Sequence, residues 1–527
     1  MQIDVTKTFK NTSGKVLDFL VDSMFEFVDQ EFLPSQSKFG PVDELGGEVA
    51  VTSGIRGKIP DDFPEGIYIR NGPNPLFGGL KSTRSVLGQS SHLWIEGEGM
   101  LHALYFSRDG DVSDGGWTVH YNNRHVETET FKLEKQRNKL SFLPAIGGDL
   151  PAILSAYLLN LLRFGKVNKY LSNTNVFEHS GKFYSIAENH IPQEIDIITL
   201  ETLGNWDVSG AWNRPFTSHP KGCRAPGSEE LVILGVDAVK PFMEIGIISG
   251  IELIHKVDLK LNRCSLCHEL GVTERYNVIM DFPLTLELNR LVNGGPVQGD
   301  ADSVRWFKVE PNCTFHIINS FEDGDEVVVW ACKAPDSVIP GPDMALNQFG
   351  WLPRKLKPTS TSQENDFSPD ELNIQGGEVN ERYLTGKRLS MDFPMINGAF
   401  SGYKNGYGYA QVVDSVASSA SGMLKYSGLA KLHFEEPAEV SLEIKVETHM
   451  FEENSFCSGA SFVPNRRGLE EDDGWVITFV HNEDTNISQV YMIDTKKFSS
   501  EPVAQITLPC RVPYGFHGAF IPISSST

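Results

Sequence analysis

Along most of the chain, short runs of apolar residues alternate with turn residues. From about residue 50, runs rich in Val, Ile, Tyr and Phe are separated by Gly, Pro, Asn and Asp, as in GIYIRNGPNP, ELVILGVDA, DEVVVWACKAP and GWVITFVHNED. Such runs are typical of β-strands, and many of them at this spacing indicate a sandwich, a barrel or a propeller. Because no clear linker divides the chain, we predict an all-β fold with a single domain over residues 46–527.

Two segments instead have the apolar spacing of helices. Between residues 14 and 32, within an N-terminal segment 1–45, apolar positions recur every three or four residues and predict an amphipathic helix packed on the main body. The segment 151–171, PAILSAYLLNLLRFGKVNKYL, predicts a helical insertion near 148–171 whose apolar face is wide for a surface helix. Either this helix is buried over the sheet, or it enters a bilayer surface and admits an apolar substrate.

Composition and charge narrow the range of partners. The 527 residues are 40% hydrophobic, which is enough for a large core, and the formal net charge is −23. A nucleic-acid-binding protein would carry a basic patch, so we expect no nucleic-acid partner and instead a neutral or apolar one.

The start of the chain and its cysteines bear on its compartment. The sequence MQIDVTKTFKNTSGKVLDFL lacks the basic and apolar regions of a secretory signal and the Arg/Ser-rich, acid-poor composition of a transit peptide. No uninterrupted apolar run reaches the ~18 residues of a membrane span. Seven cysteines, an odd number, are typical of a reducing compartment. We expect a soluble cytoplasmic protein that is at most peripheral to a membrane.

Four of the fourteen histidines share one context, at the edge of an apolar, strand-like run: His219, His268, His316 and His517. Taken singly, each is best explained as a hydrogen-bonded core histidine. Their spacing is more informative, because the intervals are 49, 48 and 201 residues, and a four-stranded propeller blade takes roughly 40–50 residues. One histidine on the inner strand of each of four blades would place all four on the axis of a propeller with about seven blades.

Four neutral imidazoles are suitable ligands for Fe(II), Zn, Cu or Ni. Four nitrogen ligands leave open positions on a six-coordinate metal, and this favours Fe(II) with O2. A competing motif overlaps one of the histidines, because residues 264–268 read CSLCH. This string can attach haem, and Cys264 with Cys267 can bind zinc. The alternative is that these cysteines are free thiols.

Several longer phrases carry a resemblance to a known family: RNGPNP, HLWIEGEGMLHAL, SNTNVFEHSGKFYSIAE, FTSHPK, CHELGVTERYNVIMDFPL, FHIINSFEDGDEVVV, LEEDDGWVITFVHNE and VPYGFHGAFIP. With them the chain resembles the carotenoid cleavage oxygenase family over about residues 50–525, and most of all its plant 9,10(9′,10′)-cleaving dioxygenases. The resemblance implies a seven-bladed β-propeller capped by a helical dome. It also implies a non-haem Fe(II) on the axis, held by residues that match His219, His268, His316 and His517, with no other catalytic residue.

The family also orients its metal ligands with glutamates, and here the chain matches only in part. Glu188 matches the first glutamate. Asp392 stands where the second is usual, and because Asp is one methylene shorter we expect a longer or water-mediated bond. Gly459 stands where the third is usual, so one ligand lacks its carboxylate. The flanking glycines of His517 would allow close approach of the main chain near the axis.

A larger departure lies within GGPVQGDADSVRWF, residues 294–307. Related chains carry an additional strand here, and its apparent absence near 296–300 would leave a blade edge unpaired beside the blade of His316.

The resemblance implies that Fe(II) binds O2 as co-substrate beside a polyene, and that one conjugated C=C bond of a carotenoid or apocarotenoid is cleaved to two carbonyl products. Two alternatives remain. One is cleavage of stilbene-like phenylpropanoids, as in some relatives. The other is a non-catalytic protein that binds carotenoids or apocarotenoids, which the missing strand and Gly459 would favour. The sequence does not indicate an oligomeric state.

Overall fold

The structure is a computed structural model. It describes residues 5–523 apart from 31–37, 39, 52–53, 94–95, 109–115, 224–229, 266, 282–304, 310–311, 335–365, 374–378, 386–388, 422–423 and 438–442. The described residues are mostly strands with few helices, as the alternation of apolar and turn residues predicts.

The strands of the N-terminal part, in chain order, are β1 (Phe25–Asp29), β2 (Val49–Ala50), β3 (Ile55–Gly57), β4 (Gly66–Pro73), β5 (Lys81–Ser85), β6 (Gly88–Ser91), β7 (Gly99–Arg108), β8 (Trp117–His125), β9 (Gly147–Gly148), β10 (Asn175–His179), β11 (Lys182–Ile186), β12 (Gln193–Ile195) and β13 (Thr202–Asn205). Those of the middle part are β14 (Lys221–Cys223), β15 (Glu230–Val236), β16 (Met243–Ser249), β17 (Glu252–Asp258), β18 (Leu270–Val272), β19 (Asn277–Ile279), β20 (Cys313–Asp323), β21 (Glu326–Ala334), β22 (Asp366–Asn373) and β23 (Val379–Glu381). Those of the C-terminal part are β24 (Met391–Met395), β25 (Tyr407–Val413), β26 (Tyr426–Pro437), β27 (Ile444–Met450), β28 (Ser455–Pro464), β29 (Gly474–Asn482), β30 (Ile487–Asp494), β31 (Ala504–Thr507) and β32 (Gly518–Pro522).

Seven antiparallel sheets form a ring in the described part of the chain, and each is one blade. From the inner strand outward they are β32-β4-β7-β8-β2, β10-β11-β12-β13, β14-β15-β16-β17, β18-β19, β20-β21-β22-β23, β24-β25-β26-β27 and β28-β29-β30-β31-β3. Inner strands of neighbouring blades contact one another around the axis, and the side-chain amide of Asn175 donates to the carbonyl of Ser218 between the second and third blades. The fold is the predicted β-propeller.

The ring closes by strand exchange between the two ends of the chain. The last strand, β32, pairs with β4 so that Gly518 lies opposite Arg70. At the rim of the neighbouring blade, the early strand β3 pairs with β31. β4 is buried along its whole length, including its polar residues Arg70 and Asn71.

Helices and one further sheet lie outside the seven blades. The helices are α1 (Val5–Met24), α2 (Glu129–Arg137), α3 (Leu150–Phe164) and α4 (Ser415–Ser421), with single turns of 3-10 helix at Gly398–Phe400 and Thr495–Lys497. The four strands β1-β5-β6-β9 form a separate sheet. Beside this sheet, α1 packs on α3. Among the described helices, none is both long and apolar enough to cross a membrane.

Both predicted helices end earlier than their apolar patterns do. The first ends at Met24, and Phe25–Asp29 form β1 because they pair with Lys81–Ser85 of β5. The second ends at Phe164, since Gly165 takes a left-handed conformation with φ 69° and its N–H bonds to the carbonyl of Leu161. Beyond Met24 the pairing with β5 prevents further helix, and beyond Phe164 the left-handed Gly165 ends it.

Two predictions about chain organisation are untested. The fourth blade contributes only β18 and β19 to the described residues, and the segment 296–300, where a strand was expected to be missing, lies outside them. The division into an N-terminal segment 1–45 and one domain 46–527 stays a prediction.

Candidate metal centre

The four predicted histidines come from the inner edges of four blades. His219 precedes β14 and His268 precedes β18, each by two residues. His316 lies within β20, and His517 directly precedes β32. Because inner strands converge on the axis of a propeller, residues that are far apart in sequence meet there.

The four imidazoles form one compact cluster. One ring nitrogen from each lies within 4.8 Å of those of the other three. The Nε2 atoms of His219 and His268 are 3.1 Å apart, and the ring centroids of His316 and His517 are separated by 5.0 Å. The structure thus brings together all four histidines that the sequence singled out.

Glu188 lies against the second histidine. Its Oε1 pairs with Nδ1 of His268, so the ring proton is held at Nδ1 and the lone pair of Nε2 points to the cluster. Glu188 stands after β11 in the second blade, and its side chain retains 33% exposure.

Asp392 orients the third histidine directly. Its Oδ1 lies 2.6 Å from Nδ1 of His316 and also accepts the N–H of Phe393 at 2.8 Å. The expectation of a longer or water-mediated bond was therefore wrong. The main chain brings the shorter side chain close enough, with Phe393 in the left-handed region at φ 53° and a register shift in the pairing of β24 with β25.

His219 and His517 have no carboxylate partner in the described part of the chain. Main-chain contacts hold them instead. The N–H of His219 donates to Oγ1 of Thr217 at 3.3 Å. The N–H of His517 donates to the carbonyl of Thr174, and its carbonyl accepts from Asn71.

Gly459 lies where the resemblance implies a third glutamate, and the buried side chain of Arg70 fills that space. A Cβ atom on Gly459 would lie 2.3 Å from Cγ of Arg70. A Cβ atom on Gly518 would lie 1.9 Å from the carbonyl oxygen of Gly459, which confirms the close main-chain approach expected beside His517.

Burial and neighbouring charges set the protonation of the cluster. Burial lowers the pKa of His219 and His517 well below the ordinary value, and the other histidines lower it further. Burial also acts against charge on His268, but the charge and hydrogen bond of Glu188 outweigh it and raise its pKa. Burial acts to raise the pKa of Asp392, yet His316 holds it below its usual range. Burial therefore favours the neutral form of His219 and His517, whereas His316 favours the ionised form of Asp392.

The donor set fits a transition metal. Nε2 of His316 is buried without a hydrogen-bond partner among the described residues. A buried polar atom of this kind is costly unless an ion or a water molecule binds it. The Nε2 atoms of His219 and His268 lie 3.1 Å apart, which is close enough for both to ligate one metal. All four ligands are nitrogens, which suits Fe, Zn, Cu or Ni better than Mg or Ca.

The competing CSLCH motif does not form a site of its own. His268 turns to the histidine cluster, whereas Cys264 and Cys267 are buried free thiols. Burial raises the pKa of the Cys267 thiol to about 12, which disfavours the thiolate that a metal needs.

A cavity of about 270 Å³ adjoins the cluster and reaches His517. Most of its walls are apolar and aromatic, and Gln411 and Ser461 supply polar groups. The apolar and aromatic lining residues include Phe393, Met395, Ile396, Phe462, Phe516 and Phe520. One of the four histidines, His517, thus borders a cavity whose lining side chains are mostly apolar.

Sequence reasoning missed the residues that surround the ligands from other strands. Arg70 was seen only as part of RNGPNP, and Glu269 only as the residue after His268. For Glu269 the available signal was its position directly after His268. Arg70 is far in sequence from every candidate ligand, so no such signal marked it.

Comparisons with known proteins give the family. The family model described as retinal pigment epithelial membrane protein matches residues 39–522. The carotenoid 9,10(9′,10′)-cleavage dioxygenase 1 of Phaseolus vulgaris is 29% identical, over 97% of this chain and 93% of its own. The expected family and enzyme class, a dioxygenase, are confirmed.

Solved structures share the fold. The cobalt-substituted apocarotenoid oxygenase of Synechocystis superposes with a TM-score of 0.72 at 17% identity, covering 93% of this chain and 99% of its own. The lignostilbene dioxygenase of Pseudomonas brassicacearum gives a TM-score of 0.72 at 20% identity, with coverage of 94% and 100%. From the family match over residues 39–522 and this shared fold, the chain belongs to the carotenoid cleavage oxygenase family.

Proposed function

We propose that the protein is an Fe(II)-dependent dioxygenase that cleaves a conjugated C=C bond of a carotenoid or apocarotenoid, at the 9,10 and 9′,10′ positions. The observation that carries the proposal is the cluster of four histidines, one of which borders a cavity lined mostly by apolar side chains. Relatives from Phaseolus vulgaris and Arabidopsis thaliana, each matching 97% of the chain, are named for the same cleavage.

His219, His268, His316 and His517 would hold the iron. Fe(II) bound there supplies the activation of O2 that a closed-shell polyene needs. Glu188 and Asp392 keep the rings of His268 and His316 turned toward the metal. The aromatic walls of the cavity would position the polyene and exclude water from the site.

The first test is iron per chain in the purified protein, with His316→Ala as the matched variant. We expect about one iron in the wild type, since four protein nitrogens hold one metal, and almost none in the variant. A folded wild-type protein without iron would overturn the proposal and favour the non-catalytic binding alternative.

Product analysis then identifies the substrate. Iron-loaded protein is given a C40 carotenoid, an apocarotenoid and a hydroxystilbene, and the carbonyl products are identified by mass spectrometry. We expect products from 9,10 cleavage of the polyenes. Products from the stilbene alone would support the phenylpropanoid alternative, which the likeness to a lignostilbene dioxygenase keeps open.

We also propose that α1 and α3 dock on a membrane surface, from which an apolar substrate is drawn. Five leucines of α3 are between 41% and 57% exposed, namely Leu150, Leu154, Leu158, Leu161 and Leu162. The packed neighbour α1 adds Val16, Phe19, Leu20 and Met24. Exposed apolar side chains gathered on two adjacent helices are typical of an interaction surface rather than of scattered exposure.

Co-sedimentation with phosphatidylcholine vesicles tests this surface. The double variant Leu158→Glu and Leu162→Glu should lose vesicle binding. Leu469→Glu, at a leucine that is 98% exposed in the loop between β28 and β29, is the control and should retain it. Equal binding by the wild type and the double variant would contradict this docking. The cytoplasmic location stays a prediction.

A further inference from the structure

Glu269 is a buried carboxylate outside the four-histidine cluster. It directly follows His268 and is only 4% exposed. None of the roles proposed above uses it, and it is not among the residues whose ligand atoms form the cluster.

The two oxygens of Glu269 reach two different blades. Oε1 pairs with Nζ of Lys221, two residues after His219. Oε2 accepts the main-chain N–H of Ile317 at 2.8 Å, and Ile317 directly follows His316. One side chain therefore joins the strands that carry His219, His268 and His316.

These three strands belong to different sheets, so no hydrogen-bonded ladder sets their spacing. An isolated bridge pairs His219 with Glu269 between the third and fourth blades, and the hydroxyl of Thr217 donates to the carbonyl of His268 at 2.7 Å. Between the fourth and fifth blades, the bond from Ile317 to Glu269 lies one residue from both His268 and His316. This hydrogen bond therefore helps to fix the distance between His268 and His316.

We infer that Glu269 is a positioning residue that sets the separation of the His219, His268 and His316 nitrogens and thereby tunes metal binding. This inference rests on the proposed metal site. His517 is held separately, by Thr174 and Asn71, so the loss of Glu269 should distort the ligand set rather than abolish it.

The chain contains a close chemical match that serves as a control. Glu134 in α2 is fully buried, pairs with Nζ of Lys169 at 2.8 Å and accepts the N–H groups of Ser141 and Phe142 with its other oxygen. It makes the same kinds of bond as Glu269, but in the helical layer. Any effect that comes only from losing a buried ion pair should appear in both Glu134→Gln and Glu269→Gln.

The experiment measures Co(II) affinity, by chelator competition, and the visible absorption of the Co(II) protein. Outer carboxylates of metal sites alter affinity by about 10–100-fold. We expect Glu269→Gln to weaken Co(II) binding about tenfold and to shift the Co(II) bands, because Gln keeps an acceptor for Ile317 but loses the pair with Lys221. Glu134→Gln should lower the melting temperature and leave the bands and the affinity unchanged.

Should Glu269→Gln not fold, Lys221→Met decides the question, because it removes the same ion pair and leaves the bond to Ile317. It should shift the Co(II) bands in the same way. If the folded variant, Glu269→Gln or else Lys221→Met, binds Co(II) with wild-type affinity and has the wild-type spectrum, the positioning role of Glu269 is overturned and the proposed metal site is not. A wild-type protein that binds neither Fe(II) nor Co(II) would instead overturn the proposed metal site.

Discussion

The histidine cluster has two unlike halves. His268 and His316 are turned by carboxylates, whereas His219 and His517 are placed by main-chain hydrogen bonds and close packing. Carboxylates and main-chain contacts can both orient an imidazole, but only a carboxylate adds charge to the site. The carboxylates of Glu188 and Asp392 would lie next to a divalent cation held by the four rings. In the other half, the side chain of Arg70 fills the space beside Gly459.

The largest effect is expected from a substitution at Gly459, in the half of the cluster that lacks carboxylates. Gly459→Ala places a Cβ atom 2.3 Å from Cγ of Arg70 and requires a side chain at φ 72°. We expect it to lower the free energy of unfolding by about 3 kcal/mol, through overpacking together with backbone strain. Urea unfolding followed by fluorescence measures the change.

Gly181→Ala separates the two contributions. Gly181 has a similar φ of 76°, but a Cβ atom there meets nothing within 4 Å. It should lose only about 1 kcal/mol, from backbone strain. Equal losses in the two variants would mean that Arg70 moves aside and that the site tolerates a side chain at 459.

A smaller effect is expected in the half that has carboxylates. Asp392→Asn keeps the shape of a buried side chain but removes the charge that faces Nδ1 of His316. Iron affinity should fall by up to about 100-fold, at the upper end for outer ligand partners. Competition with a chelator, with iron measured by atomic absorption, gives the affinity. Unchanged affinity would show that packing alone orients His316.

The smallest of the three effects is expected for Glu188→Gln. Glu188 is one-third exposed, whereas Asp392 is buried, so water can replace part of what is lost. Iron affinity should fall by about tenfold, at the lower end for outer ligand partners. A loss as large as that of Asp392→Asn would contradict the idea that burial ranks the two carboxylates. Thr217→Val removes a neutral hydroxyl that bonds only main-chain atoms of His219 and His268, and it should change iron affinity less than either.

Which features could be read from the sequence depends on whether their signal was local. Short apolar runs with turn residues between them indicated the strands, because strand formation is encoded over a few neighbouring residues. Each histidine taken singly was ambiguous, and the spacing of the four together with the family resemblance identified them as candidate ligands. The end of α3 had a local signal in Gly165, whereas the end of α1 was misjudged for the converse reason. Phe25–Asp29 became a strand only because β5 lies beside it.

The sequence by itself thus determined the β-rich fold, the family and the four candidate ligands. Tertiary structure decided how the ligands are held. Asp392 reaches His316 because the chain kinks at Phe393, Arg70 fills the space beside Gly459, and Glu269 joins Lys221 to Ile317 across three blades. These contacts link residues tens to hundreds of positions apart. Their distances are set by how the sheets pack around the axis, and no local pattern of residues encodes that packing.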